Sequence, residues 1–125
     1  MTFLITRPEH EDTVFYLSVW SKELIEQAKE NRVTVLDCHK ERAVPSVVCP
    51  MLEKKHPTLV MFNGHGNAHQ ITGHHNEVLI EKGKNEQLLK GKIIYARSCS
   101  TSAELAESCV KKGAHAYIGY REQFV

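Results

Sequence analysis

The chain has 125 residues, 42% of them hydrophobic and 25% charged; this is enough apolar material for one core, and it excludes a low-complexity or disordered composition. A formal net charge of +1 gives no electrostatic case for nucleic acid or an anionic membrane surface as a partner. The amino terminus, MTFLITRPEHEDT, has no basic region followed by a long apolar one, and no apolar run reaches the roughly 18–20 residues of a membrane span, so a cytoplasmic location is expected.

Strands alternate with helices along the sequence, which reads as a single domain over residues 1–125. Residues 3–6 form a first short strand ended by Arg7-Pro8. Asp12 or Thr13 then caps a helix whose Val14, Leu17, Trp20, Leu24 and Ala28 recur at helical spacing. Residues 33–38, VTVLDC, make a second strand. Val44, Val47, Val48, Met51 and Leu52 follow the spacing of a second amphipathic helix, with Pro45 in its first turn and Pro50 expected to kink or shorten it.

The stretch over residues 58–66, TLVMFNGHG, organises the rest. Its run from Leu59 to Phe62 has the continuous apolar character of a strand buried on both faces, and Asn63-Gly64 stops it abruptly. His65 is thereby delivered at the carboxyl end of a central strand, between two glycines, where open α/β sheets place their ligands. A polar, histidine-rich loop over 67–76 follows, then a short strand or hairpin arm over 77–81 and a short helix over 85–90 stopped by Gly91. Residues 92–97, KIIYAR, are a fourth sheet strand ending at Ser98-Cys99. Thr101 and Glu104 have the reciprocal spacing of a helix start, Leu105, Ala106, Cys109 and Val110 supply the apolar face, and Gly113 marks its end. Residues 114–119 make a fifth strand.

Parallel strands joined by helical crossovers imply a mostly parallel sheet with helices on both faces, a three-layer αβα sandwich. All its strands point one way, so His65 and Cys99 fall on one edge. If their strands are neighbours, the pair has the make-up of a nucleophilic thiol and its base. A helix starting near Thr101 adds a dipole that favours thiolate, and the backbone N–H groups of Gly66 and Cys99 can face one substrate oxygen as an oxyanion hole. Cys38, Cys49 and Cys109, on strands or apolar helix faces, read as core thiols. With no CxxC pair among the four cysteines, neither a structural zinc site nor a disulfide framework is expected. His69, His74 and His75 together with His65 raise a metal site, but their spacing matches no short zinc motif, and neither metal nor cofactor is expected. There is no GxSxG nucleophile elbow and no Walker A lysine.

The blocks FNGHG, at 62–66, and ARSCSTSAELAESCVKKGAHAYIGY, at 96–120, resemble the caspase-like cysteine peptidases of clan CD, most closely their CHAT-domain branch, in which a strand ending in His-Gly precedes one ending in Ser-Cys or Ala-Cys. The resemblance covers the second half of the chain well and the first half only in topology. It implies a caspase-like sheet of order 2-1-3-4-5 and a cysteine endopeptidase with protein or peptide substrates. His65 and Cys99 carry the dyad in this reading, with Gly66 and Cys99 as oxyanion donors. The QACxG signature of true caspases is absent, since Arg97-Ser98-Cys99-Ser100 stands in its place. Family members continue beyond the strand matching 114–119, so the domain is expected either to lack carboxyl-terminal elements or to be completed by a homodimer or partner chain. In the family, residues at the end of the first strand and just before the cysteine shape the pocket for the residue preceding the cut; Arg7 and Arg97 stand there and imply an acidic preference, the alternative being that Arg97 points into a helix layer or pairs with a local carboxylate such as Glu104. The alternative is a catalytically inactive caspase-like interaction module.

Overall fold

The computed structural model describes residues 1–98, 100, 101 and 103–121. The element order is β1 (Thr2–Arg7), α1 (Asp12–Glu30), β2 (Thr34–His39), α2 (Pro45–Lys54), β3 (Leu59–Asn63), β4 (Gln70–Thr72), β5 (Val78–Glu81), β6 (Ile93–Arg97), α3 (Leu105–Lys111) and β7 (Ala116–Ile118), with short 3₁₀ turns at Lys40–Arg42, His74–Asn76 and Glu86–Leu89.

Five strands form one sheet in the order β2-β1-β3-β6-β7, and every pairing in it is parallel. Numbered along the chain this differs from the expected 2-1-3-4-5, because β4 and β5 intervene between β3 and β6 and stand outside the sheet as an antiparallel hairpin. β3 sits at the centre with β6 beside it, Asn63 opposite Arg97.

Successive strand residues face opposite layers, and both layers are apolar. On one face Leu4, Val60, Phe62, Ile94 and Ala96 pack with Val48 and Leu52 of α2, Leu105 and Cys109 of α3, and Ile71, Leu79 and Ile80 of the hairpin. On the other, Phe3, Ile5 and Met61 pack on Ile25 of α1. That double burial explains the uninterrupted apolar run of β3. A fully buried side chain such as Phe62 contributes about 1.5–3 kcal/mol. Helices therefore cover both faces, as αβα layering requires. Among the described residues no helix is long and apolar enough to cross a membrane.

Three local expectations are corrected. The buried stripe of α1 is Val14, Leu17, Ser18, Ser21 and Ile25, while Trp20 is 63% exposed and Leu24 lies outside with it. Two serines replace apolar residues on the inner face because they receive hydrogen bonds from Arg7 and Arg97. α2 continues through Pro50 to Lys54. α3 starts only at Leu105: Glu104 has φ −136° and no capping bond, the Thr101 hydroxyl bonds the Ser98 carbonyl, and the Glu104 carboxylate pairs with His69 at 3.2 Å and Lys82 at 3.5 Å. The reciprocal cap is not formed, and the helix starts at Leu105 rather than near Thr101.

Candidate functional site

The carboxyl edge of the sheet is built in two layers of chemistry. The inner layer is a polar lattice on the α1 side. Arg7, at the end of β1, places Nε and Nη2 on the two Asp37 oxygens at 2.8 and 2.7 Å, while Nη1 reaches the Ser18 hydroxyl at 3.2 Å. Arg97, at the end of β6, donates from Nε to Asn63 Oδ1 at 2.7 Å and from Nη2 to the Ser21 hydroxyl at 2.6 Å and the Leu17 carbonyl at 3.2 Å. Asn63 also donates to the Thr6 carbonyl at 2.9 Å and the Ser21 hydroxyl at 3.0 Å. Glu9 accepts from Ser18 and meets a His39 ring nitrogen, each at 2.5 Å. Burial works to raise its pKa, but the bonds from Ser18 and His39 outweigh that and hold the carboxyl below the ordinary glutamate value.

The outer layer starts at Gly64. A Cβ there would lie 2.6 Å from the Thr72 carbonyl oxygen, so the chain can leave β3 beside β4 only as glycine. His65 is then fixed through its backbone: its carbonyl accepts from the Thr72 N–H at 2.9 Å and hydroxyl at 2.8 Å. Gly66 bridges to Ile71. A Cβ on Gly66 would stand 2.6 Å from Thr101 Cγ2 and 2.9 Å from Ser98 Cβ, so the turn after β3 presses directly against the turn after β6.

The His65 ring is partly exposed, and its Nε2 pairs with Glu11 Oε1. Beside it, His10 Nε2 lies 3.2 Å from Asn76 Oδ1, and its ring meets those of His65, His74 and His75 with centroids 6.1, 5.5 and 5.6 Å away. The 3₁₀ turn that presents His74 and His75 is unusual in having His75 and Asn76 at φ 53° and 60°. Burial, then repulsion from His75 and His10, lowers the pKa of His74, with Glu41 and Glu9 opposing.

Of the residues singled out in the sequence, His65 and Gly66 lie on this edge; Cys99 lies outside the described residues, and so does its backbone N–H. Its described neighbours Ser98 and Thr101 are buried against Gly66. Arg7 and Arg97 sit on the same edge but face α1, with their guanidinium forks engaged. His69 is drawn away toward Glu104. Burial pushes the thiols of Cys38 and Cys109 up to about 11 and about 12, and raises that of Cys49, so all three favour the unreactive thiol form. An open concavity of about 860 Å³ follows α3 and β7 past Val110 and Tyr117, and His65 is not part of its wall.

No protein-family model matches the chain, and no curated protein sequence does so significantly.

Sequence reasoning passed over His10 and Glu11. The signal was present: Glu9-His10-Glu11 follows directly on β1, and the loop after a strand paired with β3 must emerge beside the loop carrying His65. Carried by the carboxylate of Glu11, the Nε2–H tautomer of His65 leaves its lone pair on Nδ1.

Proposed function

We propose that the chain is a cysteine endopeptidase of caspase-like type, with a caspase-like αβα sheet, in which His65 and Cys99 act as base and nucleophile. One observation carries the reading: Gly66 fits against Ser98 and Thr101 so closely that no side chain is accommodated, which brings the turn holding His65 against the residues on either side of position 99. The pairing of β3 with β6 supports it by giving both turns the same sheet edge. Glu11 supports it as a positioning residue, because a carboxylate on Nε2 of His65 leaves Nδ1 able to take the thiol proton. In the reaction that proton passes to His65, the thiolate adds to the peptide carbonyl, the amine leaves with the proton, and water hydrolyses the acyl-enzyme. The N–H groups of Gly66 and Cys99 would receive the oxyanion. An acidic preference is not part of the proposal, since Arg7 and Arg97 are committed to Asp37, Asn63 and α1.

The test is thiol alkylation at neutral pH followed by peptide mapping. Cys99 is expected to label at least tenfold faster than Cys38, Cys49 and Cys109, and His65→Ala to slow Cys99 alone. Uniform labelling in the folded protein would reject the dyad. A second reading, an inactive interaction module, is favoured by the exposed aromatic group of Phe15, Tyr16 and Trp20 on α1, where Tyr16 and Trp20 stack at 6.1 Å; an unreactive Cys99 with no cleavage of a peptide library would select it.

A further inference from the structure

We propose that His10, Glu11 and His65 form a site for one borderline divalent cation of the zinc class, with a fourth coordination position left to solvent. The ligand atoms of the three residues lie within 4.8 Å of one another, close enough for a single ion to draw them into one shell. Two imidazoles and a carboxylate are a donor set that suits Zn²⁺ and Co²⁺ better than Mg²⁺ or Ca²⁺, which take oxygen ligands.

A second observation points the same way. Asn76 Oδ1 can only accept from His10 Nε2, so that nitrogen carries the ring proton and Nδ1 carries the lone pair. That Nδ1 is shielded from solvent and has no hydrogen-bond partner, although a buried acceptor ordinarily finds one. An imidazole with one nitrogen held by an amide oxygen and the lone pair of the other unused is arranged as metal ligands are. The neighbouring His74 and His75 rings close the other sides of His10. His10 and Glu11 precede α1 directly, and His65 is anchored through its carbonyl to Thr72, so the donors come from two backbone-fixed turns.

The site bears on the proposed dyad, and this consequence rests on that reading. A cation on Nε2 of His65 needs the lone pair there, so the ring proton moves to Nδ1. Nδ1 then has no lone pair for the thiol proton. Metal and base function exclude each other at one imidazole.

The test uses the full chain with a non-thiol reductant. Co²⁺ is titrated and followed by its visible ligand-field bands, then displaced by Zn²⁺ in competition with a chromogenic chelator. One equivalent is expected to bind without the near-ultraviolet thiolate-to-cobalt band; affinity should fall tenfold or more in His10→Ala and in Glu11→Gln and stay unchanged in His69→Ala. A thiolate band, absence of binding, or full affinity in His10→Ala would overturn the site. In parallel, Zn²⁺ should slow Cys99 alkylation in the native chain but not in His10→Ala. His10-dependent binding that leaves alkylation unchanged would keep the metal site and reject His65 as the base.

Discussion

Two polar clusters share the carboxyl edge of the sheet, and they differ in how completely their groups are satisfied. On the α1 side, Arg7, Asp37, Asn63, Arg97, Ser18 and Ser21 bond one another with short contacts that are buried or half-buried. On the loop side, His10, Glu11, His65, His74 and His75 crowd together half-exposed, with a shielded nitrogen of His10 unpartnered. Saturated polar groups hold a fold, whereas unsatisfied ones in contact have capacity left for a ligand. The first cluster ties α1 across β1, β3 and β6, and so sets the platform on which the second stands.

The sharpest way to break this comparison is to remove an arginine. Arg7→Ala strips the Asp37 carboxylate of both its donors, and Arg97→Ala leaves Asn63 Oδ1 without one. Each should cost about 3 kcal/mol in urea unfolding, because truncating one partner of a buried network leaves the other desolvated and unpaired. A cost below about 1 kcal/mol for both would show that the lattice is decorative.

Next in size is Gly66→Ala, which forces Thr101 and Ser98 away from the turn after β3. Overpacking of this kind costs about 1–3 kcal/mol. The expected signature is a loss of Cys99 reactivity out of proportion to the loss of stability, with Cys38 labelling unchanged in the folded state. If Cys99 keeps its rate, contact between the two turns is not what supports the site.

Glu86 tests whether saturation, rather than position on the edge, marks a structural group. It is buried, and its carboxylate accepts from the Gly83 N–H at 2.5 Å and the Ser108 hydroxyl at 2.8 Å, bonds made to the 82–85 turn and α3 rather than to the His65 cluster. Burial raises its pKa, but these bonds and Lys112 carry it below the ordinary glutamate value. The unfolded chain therefore takes up the proton first as pH falls. The stabilisation is complete above the unfolded pKa and is lost as pH drops through the folded one. Glu86→Gln should cost about 1 kcal/mol at pH 7 and flatten the acid limb of the stability curve below about pH 4.5; an unchanged acid limb would assign that limb to other carboxylates.

The sequence was legible where one physical signal dominated. The double-faced run of β3 marked a central strand, and the glycines around His65 marked a turn at its end. It misled where tertiary bonding overrode hydrophobicity: Ser18 and Ser21 hold the inner face of α1 because arginines need acceptors there, and Trp20, placed inside by periodicity, is outside. β4 was hidden in the polar loop since only Ile71 and Thr72 of its three residues are buried. The Thr101–Glu104 spacing promised a cap, but Glu104 found His69 and Lys82 instead. His10 and Glu11 carry no local pattern, and only the pairing of β1 with β3 brings them to His65.

The smallest expected effect is the most discriminating. His10 loses one hydrogen bond to an exposed Asn76 and three ring contacts on replacement, while its unpartnered nitrogen is removed with it. Deleting a shielded acceptor that has no donor removes a desolvation cost, which offsets the lost contacts. His10→Ala should therefore lie within about 0.5 kcal/mol of the native chain when divalent metal is chelated. With Zn²⁺ present the two should separate, because a ligand that binds only the folded state adds about 2.7 kcal/mol at a hundredfold excess over its dissociation constant, and the variant forgoes most of that. Equal stabilisation of both chains by Zn²⁺ would place the ion elsewhere, and a cost above about 2 kcal/mol in chelator would move His10 from the ligand-ready cluster into the structural one.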